Sequence, residues 1–307
     1  MNVWATLAAV LLSWNLTVQN FYNLPKIELQ ANEQSSQVIF SDQRLEEKQL
    51  IPHKVDNNSW GVKISAQSAA VMDQNTGLIL WQKNADQVRA IASITKLMTI
   101  LVFLDHNPGW DQVLSMEAVD EASEIKPNIL RGEQVTVRDL FNITLVASDN
   151  NAARALARST TLSSADFVKE MNNKALALKM SQSNFVEPTG LNAQNQSTAL
   201  DVLKMAQAAF AKDEIRKAVR QKSYTLLTQG GRTQRVLSTN NLLKSYLNIQ
   251  AGKTGYIEAA GYCLVVAVDN DSANEILTVV LGSSTHEGRF QEAKILSGWI
   301  FENYQWF

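Results

Sequence analysis

The stretch around which this chain is organised is Ile91–Thr99, with the sequence IASITKLMT. Ser93 comes just before a mostly apolar run, Ile94–Leu104, so the pattern predicts that a helix opens here. Ser93 and Lys96 are three residues apart and share one face of such a helix. A lysine amine beside a serine hydroxyl can take its proton, which activates a serine nucleophile without a histidine. Taken alone the motif is weak, because roughly one Ser-x-x-Lys arises by chance in a chain of this length.

Two later segments line up with this one. Ser148–Asn150 reads Ser-Asp-Asn in a break between two predicted helices, and Lys253–Gly255 reads Lys-Thr-Gly on a predicted strand. Alone, the first is typical of a helix-capping turn and the second of a strand end. The ordered set of three motifs is a signature of β-lactamases and penicillin-binding proteins. Together they are far less probable by chance than any one of them.

The amino-acid composition excludes several classes of protein for this chain. The 307 residues are 45% hydrophobic and 19% charged, which is typical of a globular chain. The 28 basic and 30 acidic residues leave a net charge of −2 without a basic run, so no nucleic-acid partner is expected. The single cysteine, Cys263, excludes an internal disulfide framework, and a buried, inert thiol is expected there. The three histidines have no metal-ligand spacing, so we expect neither a metal nor another cofactor.

The N-terminal part differs in composition from the rest. Residues 1–20 contain a short apolar run, Val3–Trp14, which is shorter than the roughly 20 residues that span a bilayer. It suits a secretory signal, so the chain is expected to be exported to a periplasmic or other extracytoplasmic site. The segment is then either removed or retained as an uncleaved tether. Residues 21–63 are polar without a sustained period and predict a linker, followed by a catalytic domain over 64–307.

The order of predicted elements is a hairpin, a group of helices, several strands and a closing helix. The predicted strands are 68–72, 78–81, 224–227, 234–237, 249–254, 262–268 and 276–281. The predicted helices after that of Ser93 are 140–146 behind a capping box at 136–139, 151–158, 165–178, 197–211 and 289–304. Strands from both ends of the chain most economically join one antiparallel sheet. The prediction is therefore an α+β fold, with an antiparallel sheet flanked by helices, a helical lobe, and a site in the cleft between them.

Three further segments carry a family resemblance. Phe185–Leu191 (FVEPTGL), Lys253–Tyr256 (KTGY) and Glu258–Leu264 (EAAGYCL) resemble the low-molecular-mass penicillin-binding proteins of the D-alanyl-D-alanine carboxypeptidase family. The resemblance covers the chain from Ile64 onward and implies a β-lactamase or penicillin-binding transpeptidase-like fold. The sequence stops at Phe307, straight after the last predicted helix. This short form is similar to the D,D-endopeptidases of the penicillin-binding protein 7 type, so no C-terminal membrane anchor is expected.

The resemblance implies the catalytic roles. Ser93 would be the acylated nucleophile, and Lys96 would be the base, which requires a neutral amine. Ser148 would relay the proton toward the leaving amine. Asn150 would hold Lys96 and the substrate amide.

It also implies the binding residues. Lys253 and Thr254 would bind the carboxylate of the substrate, and Gly255 would let the substrate backbone approach the strand. The backbone N–H of Tyr256, with that of the nucleophile, would form the oxyanion hole. Arg289 would support carboxylate recognition, although by itself it could equally be a solvated residue in the first turn of a helix.

Three functions stay open at this point. The first is a serine D,D-peptidase that cleaves D-Ala-D-Ala or the D-Ala-diamino acid cross-link, with peptidoglycan stem peptides as substrates and β-lactams as covalent inhibitors. The second is a β-lactamase, for which the segment from Glu187 to Asn192 superficially resembles the loop that supplies a deacylating carboxylate. The third is a catalytically dead cell-wall binding module. No obligate protein partner is evident from the sequence.

Overall fold

The structure is a computed structural model that describes residues 50–122, 127–270 and 272–307. The predicted leader over 1–20 and most of the predicted linker lie outside the described residues. Within the described ranges, no helix combines the length and the apolar character that a bilayer crossing requires.

Strands and helices alternate in blocks along the chain. The strands are β1 (Pro52–Lys54), β2 (Ser68–Asp73), β3 (Ile79–Lys83), β4 (Arg89–Ala90), β5 (Val113–Ser115), β6 (Gln134–Thr136), β7 (Gln196–Ser197), β8 (Ser223–Leu227), β9 (Thr233–Leu237), β10 (Asn248–Ile257), β11 (Gly261–Asp269), β12 (Glu275–Ser283) and β13 (Tyr304–Trp306). The α-helices are α1 (Lys96–Asp105), α2 (Val137–Val146), α3 (Asn150–Ser159), α4 (Ser164–Ala177), α5 (Ala199–Phe210), α6 (Asp213–Val219) and α7 (Gly288–Asn303). Short 3₁₀ turns cover Ala92–Thr95, Ala118–Asp120 and Asn241–Lys244.

A five-stranded antiparallel sheet joins the two ends of the described chain. Its strand order is β10-β11-β12-β2-β3, so β10 lies at one edge. The hairpin β2–β3 is therefore attached to a strand, β12, that follows more than two hundred residues after β2, as Val279 opposite Ala70 illustrates. The expected α+β architecture with one antiparallel sheet is confirmed.

The sheet is buried on both faces. Along β11, Val265 and Ala267 belong to the core shared with the central helices, whereas Val266 and Val268 belong to the core shared with α7. Alternate residues of a strand point to opposite faces, so one apolar run serves both cores. A central strand covered on both sides needs such a continuous run, and this is why β11 and β12 are readily predicted from the sequence.

The helix boundaries follow from capping. The Thr136 side chain accepts a hydrogen bond from the Asp139 backbone N–H at 3.1 Å, and Asp139 Oδ2 accepts from the Thr136 N–H at 3.2 Å. This is the predicted capping box, with Asp in place of Glu. At α4 the N-cap is Ser163 rather than Ser164, so the helix begins one residue earlier than predicted.

Two predictions about organisation need correction. β8 and β9 form a separate two-stranded hairpin and do not join the main sheet. Only Leu226 and Val236 are buried there, so the hairpin covers the core with one face. The stretch 21–63, predicted as linker, already contains β1, whose Pro52 pairs with Trp306 of β13. Three residues are too few to show a strand period, and their partner lies at the other end of the chain.

Candidate active site

Ser93 lies in the 3₁₀ turn that precedes α1, and Lys96 is the first residue of that helix. The motif therefore sits at a helix start, as predicted, but the serine itself belongs to the tighter turn. Ala92 has a φ of 48°, a left-handed conformation that costs a residue with a Cβ roughly 1–2 kcal/mol. Such strain persists only where the surroundings hold the backbone in place.

Two glycines from distant segments hold this turn. A Cβ on Gly190, whose φ is +83°, would lie 2.0 Å from the Ala92 carbonyl oxygen. A Cβ on Gly255 would lie 3.0 Å from the Ser93 backbone nitrogen. The sequence interpretation assigned Gly255 to the approach of a substrate. The structure gives it a second reason, because β10 packs directly against the backbone of the serine.

The amine of Lys96 is fully buried, with 0% exposure. Its Nζ donates to Ser93 Oγ at 2.9 Å, to Asn150 Oδ1 at 2.7 Å and to the Thr189 carbonyl at 2.7 Å. Three acceptors from three segments thus fix the amine beside the hydroxyl. The contact with Asn150 is the one that the family resemblance led us to expect.

Ser148 and Lys253 form a second hydroxyl–amine pair. Lys253 is 1% exposed, and its Nζ lies 2.6 Å from Ser148 Oγ and 2.9 Å from the Thr254 carbonyl. Ser148 has a φ of 59° in the break between α2 and α3. Asp149 caps α3 through the Ala152 N–H at 2.7 Å. The capping interpretation of Ser-Asp-Asn is therefore correct for Asp149, while Ser148 and Asn150 contact the two buried lysines.

The pKa of Lys253 is lowered well below the ordinary lysine value. Burial is the largest cause, and the positive charges of Lys96 and Arg289 add to it. Removing an ammonium group from water disfavours its charged form, and neighbouring cations do the same. An anion bound beside Lys253 would favour its charged form and so raise the pKa of Lys253 again.

Arg289 is buried, with 4% exposure, so its interpretation as a solvated first-turn residue is wrong. Its Nη1 donates to the Gly255 carbonyl at 3.0 Å and reaches the Cys263 carbonyl at 3.5 Å. The guanidinium also lies over the rings of Tyr262 and Phe290, at 5.4 and 4.7 Å from their centroids. Desolvation lowers the pKa of Arg289, and the aromatic faces offset part of the cost of burial.

A cavity of about 310 Å³ opens over the two serines. Its walls combine the predicted residues Ser93, Ser148, Thr254, Gly255, Tyr256 and Arg289 with three that sequence reasoning missed, Thr239, Asn241 and His286. Thr239 Oγ1 lies 2.6 Å from Thr254 Oγ1 and so orients that hydroxyl. None of these three residues lies in a motif, and their segments come together only in the folded chain.

Glu187 is also placed by the structure in a role that the sequence did not predict. Its carboxylate accepts hydrogen bonds from five donors of its own loop: Thr189 N at 2.7 Å, Thr189 Oγ1 at 2.6 Å, Gly190 N at 2.6 Å, Asn192 N at 3.3 Å and Asn195 Nδ2 at 2.5 Å. The acidic side chain thus shapes the loop that presents the Thr189 carbonyl to Lys96.

Two further expectations concern the single cysteine, Cys263, and the binding of a metal ion. Cys263 is buried, and burial raises the pKa of its thiol to about 11, as expected for an inert core cysteine. Within the described ranges, no group of three or more His, Cys, Asp or Glu side chains is arranged to hold a metal ion.

Comparison with known proteins identifies relatives of this chain. The profile of the D-alanyl-D-alanine carboxypeptidase family matches residues 53–285. A D-alanyl-D-alanine endopeptidase of Pseudomonas aeruginosa is 38% identical over 253 residues, which cover 78% of each chain. A D-alanyl-D-alanine carboxypeptidase of Bacillus subtilis is 30% identical over 246 residues, covering 78% of this chain and 63% of the relative.

Solved structures agree with these relatives. The DD-transpeptidase of Streptomyces K15 superposes with a TM-score of 0.73 at 28% identity, over 80% of this chain and all of that one. Penicillin-binding protein D2 of Listeria monocytogenes, solved in its cefotaxime-bound form, gives a TM-score of 0.69 at 32% identity. That match covers 79% of this chain and all of the other.

Replacing Glu187 with glutamine should destabilise the fold. The amide would present N–H donors to backbone N–H groups that now share a carboxylate, and losing charge-assisted hydrogen bonds costs about 2 kcal/mol. A chain of this size then loses about 4–8 °C in its melting temperature. Thermal unfolding followed by circular dichroism measures the change.

The matched control is Glu258→Gln, in the exposed turn between β10 and β11. It should melt within about 1 °C of the unmodified protein, since exposed substitutions usually change stability little. Equal melting temperatures for both variants would show that Glu187 does not hold its loop.

Proposed function

This chain belongs to the D-alanyl-D-alanine carboxypeptidase family, and we propose that it is a serine D,D-peptidase that acts on peptidoglycan stem peptides through an acyl-enzyme at Ser93. The observation that carries the proposal is the 2.9 Å contact between Lys96 Nζ and Ser93 Oγ at the foot of an open cavity. A nucleophile within hydrogen-bond reach of a base is the arrangement that covalent catalysis requires.

Acylation begins when Ser93 Oγ attacks the carbonyl carbon of the penultimate D-Ala and Lys96 accepts the hydroxyl proton. Lys96 must be neutral to do so, and two amines buried close together disfavour the state in which both are charged. The C–N bond then breaks, and the proton taken by Lys96 passes to the leaving amine with Ser148 as the relay, because Ser148 lines the same cavity as Ser93. Water later cleaves the ester and releases the acyl product.

The developing oxyanion would be held by the backbone N–H groups of Ser93 and Tyr256. Gly255 supports this assignment, because its lack of a side chain allows β10 to pack against the Ser93 nitrogen. One such donor typically stabilises the transition state by about 3 kcal/mol. The side chain of Tyr256 has no part in this role.

The carboxylate beyond the scissile bond would bind Lys253 and the hydroxyl of Thr254. Thr239 orients that hydroxyl through their 2.6 Å contact. Arg289 donates to the Gly255 carbonyl and contributes a buried positive charge behind the strand. It is therefore a positioning residue that also favours an anion in the cleft.

The β-lactamase interpretation has no support in this arrangement. It requires Glu187 to activate the deacylating water, but the Glu187 carboxylate accepts five hydrogen bonds from its own loop. β-Lactams would instead inhibit the enzyme by acylating Ser93, which agrees with the cefotaxime-bound form of a structural neighbour.

Peptidoglycan lies outside the cytoplasm, so the proposal includes export of the chain. Residues 1–20 would be the leader, and the mature protein would be periplasmic or extracytoplasmic, with a role in cell-wall maintenance and cell shape. Cell fractionation of the full chain and of a variant beginning at Phe21 tests this step. Membrane attachment of the shorter variant would contradict the assignment of the leader as the only tether.

The proposed bond is the cross-link between a D-Ala and the D-centre of a diamino acid. The endopeptidase from Pseudomonas aeruginosa is 38% identical to this chain, against 30% for the carboxypeptidase from Bacillus subtilis. Both bonds place a carboxylate beside the scissile amide, so the catalytic residues fit either. The preference depends on the room that the cleft offers to a second stem.

Purified cross-linked dimer should be cleaved at least as efficiently as monomeric pentapeptide. Contacts with the second stem can be used in the transition state, which raises kcat/KM on the dimer. Product masses and initial rates measure the ratio, and Ser93→Ala serves as the control that should cleave neither substrate. Rapid loss of terminal D-Ala with intact dimers would identify a carboxypeptidase instead.

Lys96→Arg should be nearly as damaging as Lys96→Ala. Arginine stays protonated in proteins, so it keeps the charge but cannot act as the base. The rate of acylation by a fluorescent penicillin measures the effect. Acylation at close to the unmodified rate would show that Lys96 acts only as a charge.

The alkaline limb of the kcat/KM profile should lie below the ordinary lysine pKa of about 10.4. Lys253 must carry its proton to bind the substrate carboxylate, and its lowered pKa means that this proton is lost earlier as the pH rises. Lys253→Arg should move the limb upward, because a guanidinium stays charged. An unmoved limb in this variant would assign the titration to another group.

A further inference from the structure

A second groove lies along the outer face of α7, where the segment after the 3₁₀ turn Asn241–Lys244 passes over the helix. Its volume is about 410 Å³, within the range of small-ligand sites. The groove is lined by Val62, Tyr246, Gln291, Lys294, Ile295, Gly298, Trp299 and Glu302. We call it the α7 groove.

The elements that line the α7 groove begin at the rim of the active-site cavity. Glu287, Gln291, Lys294 and Gly298 recur at helical spacing and therefore share one face of the helix. Asn241 lines the catalytic cavity, and its Nδ2 lies 3.4 Å from Glu287 Oε1. The exposed face of α7 thus leads from the cavity to the groove.

The proposed binding mode sets the direction in which the substrate runs. The scissile carbonyl would bind the N–H of Tyr256, and the carboxylate one residue further would bind Thr254. Moving from the acyl side to the leaving side therefore means moving toward the start of β10 at Asn248, just after Tyr246. β10 is an edge strand, but beyond Thr254 it is covered by Thr239 and Asn240, so a peptide leaves the strand there and passes over Asn241 in the cavity wall. The remainder of the leaving group consequently heads toward the α7 groove.

The groove lining carries one positive side chain, Lys294, and one negative side chain, Glu302, which suits a peptide that carries both carboxylates and an amine. Lys294 Nζ lies 5.8 Å from the Tyr246 ring centre, and no carboxylate oxygen of the described residues lies within 4 Å of it. Tyr246 is 82% exposed and offers an aromatic face. At Gly298 a Cβ would meet nothing within 4 Å, so this position leaves the floor of the groove open.

We propose that the α7 groove binds the second stem peptide of a cross-linked dimer, the part that departs with the leaving amine. Lys294 pairs with a carboxylate of that stem, and Tyr246 packs against its aliphatic portion. Monomeric pentapeptide leaves only D-Ala and does not reach the groove. The inference rests on the proposed function and names the structural basis of its endopeptidase preference.

Filling the groove tests this assignment. Gly298→Phe places a ring on the open floor, and the matched control Gly298→Ala adds only a methyl group at a helical position where Ala is favoured over Gly. Gly298→Phe should lower kcat/KM on the cross-linked dimer at least about tenfold, the effect of losing about 1.4 kcal/mol of binding energy. Cleavage of pentapeptide and acylation by penicillin should stay unchanged, as should every activity of Gly298→Ala.

Lys294→Gln provides an independent variant with little risk to folding. It should weaken dimer cleavage severalfold and reduce the dependence of KM on salt, whereas Lys217→Gln, at an exposed position on α6, should do neither. Equal losses on dimer and pentapeptide would overturn the proposal, and so would unchanged cleavage of the dimer by both groove variants.

Comparing sugar-free with sugar-bearing dimers shows whether the α7 groove binds the peptide stem or the glycan strand. Dimers stripped of their sugars should show the same loss, and a loss confined to sugar-bearing dimers would assign the groove to the glycan strand instead. Binding of sugar-free dimer to Ser93→Ala, with and without Gly298→Phe, reports on the groove without catalysis. A weaker Kd for the double variant supports the groove even if no dimer is cleaved, and equal Kd values overturn it.

Discussion

The buried amine of Lys96 is the constraint on which the site depends. An amine removed from water needs partners, and it finds them in the Ser93 hydroxyl, the Asn150 amide and the Thr189 carbonyl. These acceptors come from three separate segments of the chain. The helix start, the Ser-Asp-Asn break and the Glu187 loop must therefore all be in place before the amine is satisfied. The residue proposed as the base is also the one whose hydrogen bonds join three segments around the cleft.

Much of the fold could be predicted because its signals are local or strongly periodic. The capping box at Thr136 and Asp139 is recognisable from four consecutive residues. Strand β11 is recognisable from its unbroken apolar run. The strand β1 has neither property, since it contains three residues and pairs with β13 at the far end of the chain. The hairpin β8–β9 shows a strand pattern, but the pattern does not say which sheet the strands join. Sequence periodicity describes an element, whereas its neighbours are decided by tertiary packing.

The candidate site divides in the same way. Three motifs and a family resemblance place Ser93, Lys96, Ser148 and Lys253 in one cleft, and the structure brings them within hydrogen-bond distance in pairs. Thr239 could not be predicted from the sequence, because it lies outside any motif. Its role becomes visible only from its contact with Thr254 in the folded chain. Glu187 shows the opposite difficulty. Its acidic side chain next to Pro-Thr-Gly invites a catalytic interpretation, yet its hydrogen bonds make it the support of a loop.

The clamp on the Ser93 turn has a consequence for how the protein matures. Gly190 and Gly255 pack closely against the left-handed turn at Ala92, from positions about one hundred and one hundred and sixty residues later in the chain. Contacts between such distant positions form late when a chain folds, since the loops between them must close first. Under the proposed function, the reactivity of Ser93 toward penicillin therefore arises only with the completed fold, and a newly made or partly unfolded chain carries an ordinary serine. Covalent labelling of Ser93 by penicillin would then report the number of native molecules. The amount of labelled protein at successive times after refolding begins would measure the rate of the last folding step.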